Sequence, residues 1–214
     1  MRIDLYWSFY SAFCYLAGVR LERARQRHDF AIALRPVWPL AFRRPAALFD
    51  APPAYGSYYD LDTARVAESL GVPLANPEPE PATLDWAKRA PAEHQPHIRR
   101  LTRLGVEAER RGRGFAFVRA LSDLVFAGGP GWNEGRRMAE AIGKTGLDLA
   151  AMDRAITADP AGYDAEIEAN GRALEAAGHW GTPTMVFDGE PFFGQDRLDL
   201  LLWRLKQKGL QPRR

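Results

Sequence analysis

The chain is poor in cysteine, with Cys14 alone among 214 residues. One thiol cannot form an intrachain disulfide, and it supplies neither a CxxC redox pair nor a cysteine-based zinc site. The four histidines lack metal-ligand spacing, so no metal site is expected. Dithiol exchange within one chain is therefore excluded as an activity.

The chain also lacks a large net charge and a long apolar run. Its 29 basic and 27 acidic residues leave a net charge of +2, which predicts no nucleic-acid partner. The apolar stretch from Ile3 to Val19 is interrupted by Asp4, Ser8 and Ser11 and is shorter than the ~20 residues of a membrane span. No small-x-small cleavage site follows it. We therefore expect a cytoplasmic globular protein with no membrane partner.

The chain opens with the pattern of a strand, a helix and a second strand. Ile3 to Phe9 is almost continuously apolar, which favours a buried strand. From Ser11, the predicted N-cap, apolar residues recur at helical spacing to about Gln26. Phe30 to Leu34 predicts the second strand, and the crossover of this βαβ unit should be right-handed.

The middle of the chain is rich in helix-forming residues. Residues 36–60 contain five prolines and predict a long irregular connection. Every second residue in the stretch 76–81 is a proline, which predicts an extended spacer. Helices are predicted for Leu61–Leu70, Thr83–Ala90, Ile98–Arg111, Phe115–Phe126, Asn133–Ile142 and Asp164–Ala177.

The last forty residues return to strand patterning. Asp188-Gly189 between Thr184–Phe187 and Glu190–Phe193 is typical of a hairpin with a type I′ turn. Asp196 is expected to cap a final helix. The order βαβ, helical block, ββα predicts an α/β, thioredoxin-like fold with a large all-helical insertion domain. Residues 1–60 and 179–214 would form the thioredoxin-like domain, and residues 61–178 the insertion.

The start of the first predicted helix is the best candidate for chemistry. Unpaired N–H groups and the helix dipole stabilise negative charge there, and the Ser11 hydroxyl can donate a hydrogen bond to a thiolate brought by a cofactor. Spacing alone favours the alternative that Ser11 merely caps the helix. Cys14, one turn further on, is interpreted as a small buried hydrophobe.

Two other features indicate where a ligand would bind. Pro183, at the entry to a strand, predicts either a cis peptide that turns the Thr182 backbone toward an extended ligand, or an ordinary strand-initiating proline. Trp38 and Trp180 lie on segments that could line an apolar pocket for an aromatic substrate, although tryptophans are mainly expected in the core.

Five stretches carry a family resemblance: Asp4-x-Tyr6, Ser11 to Ala17, Leu70 to Pro73, Gly181 to Thr184, and Phe192 to Leu198. Together they resemble the 2-hydroxychromene-2-carboxylate isomerase group of the DsbA-like thioredoxin superfamily, which is close to kappa-class glutathione transferases. The resemblance implies an enzyme of aromatic catabolism that uses glutathione as its cofactor, acts on a small conjugated or aromatic substrate and forms a homodimer.

The resemblance also implies a mechanism, in which Ser11 is the catalytic residue and holds the glutathione thiolate. The thiolate adds to the conjugated substrate, the bond made single rotates, and elimination releases the isomer. Glutathione is recycled rather than consumed.

The same resemblance implies which residues bind glutathione. The backbone of Thr182, before Pro183, would take the cysteinyl part, and Gln195 and Asp196 would take the γ-glutamyl end. Asp50 stands before the Pro-Pro pair, where the family usually has asparagine.

Some positions depart from the family pattern. Ala12 replaces the proline after the catalytic serine, and Cys14 replaces a second serine. No lysine lies in residues 1–87, so Arg43 or Arg44 would have to replace the basic residue that helps bind glutathione. Two alternatives stay open: a kappa-like glutathione transferase, which would consume glutathione, and a noncatalytic DsbA-like binding protein.

Overall fold

A four-stranded mixed sheet lies at the centre of the fold in the computed structural model, which describes residues 1–213. Its strands are β1 (Arg2–Trp7), β2 (Ala31–Pro36), β5 (Thr184–Phe187) and β6 (Glu190–Phe193). Two short strands, β3 (Leu84–Asp85) and β4 (Ala90–Pro91), form a separate pair. In the order β2-β1-β5-β6, β1 runs parallel to β2 and antiparallel to β5, and β6 is antiparallel to β5. This arrangement confirms the thioredoxin-like α/β fold.

The helices account for most of the remaining chain. They are α1 (Ala12–Arg27), α2 (Leu40–Arg43), α3 (Pro45–Phe49), α4 (Pro53–Leu70), α5 (Ile98–Arg110), α6 (Gly114–Ala127), α7 (Arg137–Gly143), α8 (Leu149–Ala158), α9 (Pro160–Ala176) and α10 (Leu198–Gln207). Helix α1 contacts α4, α6 and α10, and α5 contacts β2. The division into residues 1–60 with 179–214 and residues 61–178 stays a prediction, and α4 runs across its first boundary.

The core forms where the sheet meets these helices. Leu5 and Trp7 of β1 are completely buried, as the continuous apolar pattern of this strand predicts. Leu16 of α1, Leu104 of α5 and Phe117 of α6 are completely buried as well. All five side chains belong to one buried cluster, which fixes α1 relative to the sheet.

The prediction of an irregular connection over residues 36–60 is wrong, because α2, α3 and about the first two turns of α4 lie there. Two of the prolines begin helices instead of interrupting them. Pro45 and Pro53 occupy the first turns of α3 and α4, where a missing N–H removes no intrahelical hydrogen bond.

The predicted helix over Thr83–Ala90 is also wrong, because β3 (Leu84–Asp85) and β4 (Ala90–Pro91) form a small antiparallel hairpin there. The Lys88 N–H donates to Asp85 Oδ1 at 2.9 Å, and such a local side-chain bond favours a turn over a helix. Arg89 has a positive φ of 54°, which ends any helical path.

Three helices in the remaining insertion differ from the prediction. Helix α7 begins at Arg137, four residues later than Asn133, and α9 begins at Pro160, four residues earlier than Asp164. Helix α8 has no counterpart among the predicted helices. Asp148 caps α8 and accepts hydrogen bonds from the N–H groups of Ala150 and Ala151. That aspartate was an N-cap signal available in the sequence.

The C-terminal hairpin is confirmed, since Asp188 and Gly189 have the positive φ values, 53° and 79°, of a type I′ turn. The prediction that Asp196 caps the final helix is wrong. Gly194, with a φ of 106°, leads into a short 3₁₀ turn over Gln195–Arg197, so Asp196 lies inside that turn. Arg197 occupies the cap position of α10 and makes no side-chain capping bond.

Candidate active site

Ser11 stands at the N-terminus of α1 as its N-cap. The Ser11 Oγ accepts a hydrogen bond from the Cys14 N–H at 3.3 Å, and the serine is only partly buried. A hydroxyl that accepts this bond still has its own proton to donate. The capping role and the predicted role toward a thiolate are therefore compatible in the same side chain.

Cys14 lies one turn further along α1 than Ser11 and is completely buried. Burial raises the pKa of the Cys14 thiol to about 11, although the Ser8 N–H, which donates to the sulfur at 3.5 Å, the neighbouring Ser11 and Thr182 hydroxyls and the charge of Arg43 act to lower it. The thiol is thus neutral and structural, as predicted. Its surroundings also show that Ser11, Thr182 and Arg43 come together at the start of α1.

Chemical modification should show the inertness of Cys14. A thiol pKa of about 11 against an ordinary 9.0 lowers the thiolate fraction at pH 8 about a hundredfold. We therefore expect a thiol-specific disulfide reagent to react at least about a hundredfold more slowly with the native protein than with the protein unfolded in urea. Equal rates would identify Cys14 as a reactive thiol and contradict the assignment.

The loop that precedes β5 faces this helix terminus. Its Thr182–Pro183 peptide is cis, one of the two predicted alternatives. The loop is fixed by bonds from the Gly194 N–H to the Pro183 carbonyl at 2.9 Å and from Thr184 Oγ1 to the Gly181 carbonyl at 2.8 Å. The bond from Gly194 connects the loop to the residue that precedes the 3₁₀ turn.

Arg43 joins two segments of the site. Its Nε donates to the Trp38 carbonyl at 2.7 Å and its Nη1 to the Trp180 carbonyl at 2.9 Å. Its Nη2 is buried and has no hydrogen-bond partner within residues 1–213. Burial lowers the pKa of this guanidinium, while the Cys14 thiol, when ionised, would raise it. A cation with an unused donor therefore lies close to the start of α1.

Arg44 has a different environment. Its guanidinium donates to Glu175 Oε1 at 3.1 and 3.2 Å and lies 5.8 Å from the centre of the Trp180 ring. Both members of the Arg44–Glu175 pair are close to half exposed. Of the two arginines suggested by the sequence, Arg43 is the one whose charge acts on Cys14.

Trp38 and Trp180 are linked through their backbones by Arg43. Trp38 is partly buried and stacks on Phe42 with ring centres 6.4 Å apart. Trp180 is 37% exposed and stacks on His179 with ring centres 5.3 Å apart. Their role in a substrate pocket stays a prediction.

Asp50 lies at the end of α3 and is exposed. Its carboxylate pairs with the guanidinium of Arg89, in the turn between β3 and β4. The structure therefore gives Asp50 a charged partner from the β3–β4 hairpin, which lies where the sequence predicts a helix. Its role toward glutathione stays a prediction.

Gln195 and Asp196 lie side by side in the 3₁₀ turn but differ in burial. Gln195 is buried, and its Oε1 accepts from Arg20 Nη1 of α1 at 2.9 Å. Asp196 is exposed and lies 3.6 Å from Arg197 Nη2. Gln195 thus connects the turn to α1, whereas the Asp196 carboxylate is accessible to a ligand.

The sequence reasoning missed Tyr59, which lies against the start of α1. The Ala12 N–H donates to the Tyr59 hydroxyl at 3.0 Å, and the Tyr59 ring lies edge-on to Phe13 with centres 5.0 Å apart. Burial raises the pKa of Tyr59 to about 12. No local signal identifies this residue, because it lies in the segment for which the sequence predicts an irregular connection.

Within residues 1–213 the structure shows neither a metal-binding cluster nor a membrane-spanning helix. No group of three or more histidine, cysteine, aspartate or glutamate side chains is placed to hold a metal ion. Among the helices of the same residues, none has the length and apolar character needed to cross a membrane.

The site has a serine at the start of α1 and, next to it, the cis-proline loop that precedes β5. This arrangement places it in the thioredoxin-like class. The chain belongs to the family of DsbA-like thioredoxin domains, whose pattern matches residues 2–206. Its motif resemblance is also confirmed by a relative: the 2-hydroxychromene-2-carboxylate isomerase of Sphingobium xenophagum is 29% identical over 93% of this chain and 95% of its own length.

Solved structures agree on the fold. A 2-hydroxychromene-2-carboxylate isomerase superposes with a TM-score of 0.70 at 24% identity, over 97% of this chain and 95% of that chain. The cytosolic disulfide reductase DsbM of Pseudomonas aeruginosa, solved with GSH, has a TM-score of 0.58 at 17% identity, over 96% of this chain and 100% of that chain.

Proposed function

We propose that the chain is a glutathione-dependent isomerase of a conjugated aromatic substrate, in which Ser11 holds the glutathione thiolate. The observation that carries this proposal is the arrangement at the start of α1. A partly exposed hydroxyl with a proton to donate lies near Thr182 and Arg43, a partly buried cation whose Nη2 is buried, while the single cysteine is buried and neutral. The similarity to the Sphingobium xenophagum isomerase supports the reaction type.

The site favours a thiolate for three physical reasons. The Ser11 hydroxyl donates a hydrogen bond to the sulfur, the positive end of the α1 dipole attracts negative charge, and the Arg43 guanidinium adds a full positive charge in a partly desolvated place. Each effect lowers the pKa of a bound thiol. A thiolate is also the nucleophilic form of glutathione.

The chemistry is an addition followed by an elimination. The thiolate forms a C–S bond at one end of the substrate's conjugated double bond, and the electron pair of that bond moves onto the conjugated carbonyl. The carbon–carbon bond is then single and rotates. Return of the electron pair re-forms the double bond, breaks the C–S bond and regenerates the thiolate, so no glutathione is consumed.

The remaining contacts to glutathione would come from two places. The Thr182 backbone, before Pro183, takes the cysteinyl part, and the exposed Asp196 carboxylate takes the γ-glutamyl ammonium. Asp50 and Gln195 belong to the proposed site as well, but Arg89 and Arg20 already pair with them in the structure. Trp38 and Trp180 are proposed to line the substrate pocket. A cytoplasmic location and homodimeric assembly stay predictions.

Calorimetry with glutathione and with S-methylglutathione tests the proposal. We expect both to bind, because the peptide contacts are shared, and only glutathione to support isomerisation. Turnover should leave the glutathione concentration unchanged. Stoichiometric loss of glutathione would indicate a kappa-like transferase, and absence of binding would favour the noncatalytic alternative.

Replacement of Asp196 by asparagine should separate binding from stability. The carboxylate forms an exposed ion pair and caps no helix, so the free energy of unfolding should change by less than about 0.5 kcal/mol. Loss of a charge-assisted hydrogen bond, typically about 1.5 to 3 kcal/mol, should weaken glutathione binding by at least about tenfold in calorimetry. Asp199→Asn, at another exposed aspartate nearby, is the control. Equal affinities for the Asp196 variant and the wild type would remove Asp196 from the binding site.

A further inference from the structure

We propose that Tyr59 is a second catalytic residue, which donates a hydrogen bond from its hydroxyl to the glutathione thiolate held by Ser11. This inference rests on the proposed function. It adds a residue from α4 to a site that the sequence motifs place on α1 and on the cis-proline loop.

The geometry of Tyr59 sets the direction of its hydrogen bonds. Its Oη accepts the Ala12 N–H at 3.0 Å, and this N–H belongs to the residue that directly follows Ser11. Because the oxygen acts as the acceptor, the phenolic proton remains free to be donated elsewhere. The Ser11 hydroxyl also lies close enough to this phenol to affect its pKa. An anion placed beside Ser11 is therefore within reach of both hydroxyl groups.

The Ala12 N–H is one of the unpaired donors at the start of α1, and in an open site it would itself be available to an anion. Here Tyr59 covers it. The bond from the N–H polarises the phenol and strengthens its O–H as a donor, because linked hydrogen bonds reinforce one another. The stabilising effect of the helix terminus is thereby passed to the thiolate through the tyrosine.

Tyr59 is held in this position before any ligand binds. Its ring packs edge-on to Phe13, with centres 5.0 Å apart, and against the core. The Thr63 hydroxyl donates to the Tyr59 carbonyl at 2.9 Å, one turn along α4. A donor that is already oriented loses little conformational freedom when the thiolate arrives.

The protonation state of Tyr59 agrees with a donor role. Burial raises its pKa to about 12, so the phenol keeps its proton throughout the pH range in which a bound thiol would ionise. A phenolate in the same place would instead repel the thiolate. The raised pKa therefore makes Tyr59 a hydrogen-bond donor and not a competing anion.

Titration of the bound thiol tests the proposal. The ultraviolet absorbance of the thiolate is followed against pH in the complexes of glutathione with the wild type, Tyr59→Phe and Tyr58→Phe. We expect the apparent pKa of the bound thiol to rise by about one unit in Tyr59→Phe, with about tenfold less thiolate below that pKa. Tyr58→Phe, the same change at a 59% exposed neighbour, should leave the titration unchanged.

The outcomes separate this inference from the proposed function. A bound thiol with a lowered pKa in the wild type and the same pKa in Tyr59→Phe overturns the role of Tyr59 and leaves the role of Ser11 standing. An increase in thiolate in Tyr59→Phe shows that the phenol competes with the sulfur, which also overturns it. If the wild type does not bind glutathione, the proposed function and this inference both fail. Thermal unfolding of each variant verifies that the native fold is retained.

Discussion

Ser11→Ala is expected to lower the isomerase rate by about ten- to a hundredfold in a protein that remains folded. The lost hydrogen bond to a charged sulfur is worth about 1.5 to 3 kcal/mol, which corresponds to this loss of rate. The lost cap costs about 1 kcal/mol of stability, which a domain of this size tolerates. The rate is measured at saturating glutathione, and the fold by thermal unfolding.

Two further variants separate the cap from the hydroxyl. Ser11→Gly retains stability to within a few tenths of a kcal/mol, because glycine is an acceptable N-cap, but supplies no hydroxyl. Ser11→Thr supplies both. We expect activity to be low in the glycine variant and substantially retained in the threonine variant. A glycine variant as active as the wild type would reduce Ser11 to a helix cap.

Arg43→Met is expected to affect both stability and glutathione binding. The carbonyls of Trp38 and Trp180 would lose charged donors, which should lower the free energy of unfolding by about 1 to 3 kcal/mol in urea denaturation. The proposed thiolate would also lose the guanidinium charge that acts on Cys14 at the start of α1, so the apparent pKa of bound glutathione should rise. Calorimetry and thiolate absorbance measure these two effects.

Arg44→Met is the matched control for this prediction. Arg44 carries the same charge on the next residue, but its pair with Glu175 is exposed, and such pairs contribute about 1 kcal/mol or less. We expect little change in stability and none in the pKa of the bound thiol. If the two variants behave alike, the effect of Arg43 is one of general surface charge rather than of its place beside Cys14.

Local signals allowed much of the fold to be predicted from the sequence. The Asp188-Gly189 turn, the Ser11 cap and the continuous apolar pattern of β1 each depend on neighbouring residues, and each is found in the structure. The wrong prediction for residues 36–60 arises because it rests on the number of prolines and not on where each proline stands relative to a helix. A count of prolines does not show that Pro45 and Pro53 begin helices.

The site was only partly predictable for a related reason. Ser11 and the Thr182–Pro183 loop were identified by short motifs, whereas the contacts that complete the site join residues far apart in the chain. The Ala12–Tyr59 hydrogen bond spans 47 residues and the Arg43–Trp180 bond spans 137. No periodicity or spacing rule encodes such pairs, because they arise from the packing of α2 and α4 against the rest of the protein.

Strand β6 bears on how two copies of this protein could associate. It is the outer strand of the sheet, and its second residue is Pro191, which pairs with Val186 of β5. Proline has no N–H, so this exposed edge lacks a donor that an added strand from another copy would need. We therefore expect that the predicted homodimer does not form by continuing the sheet across β6, and that its contacts involve helices or loops instead.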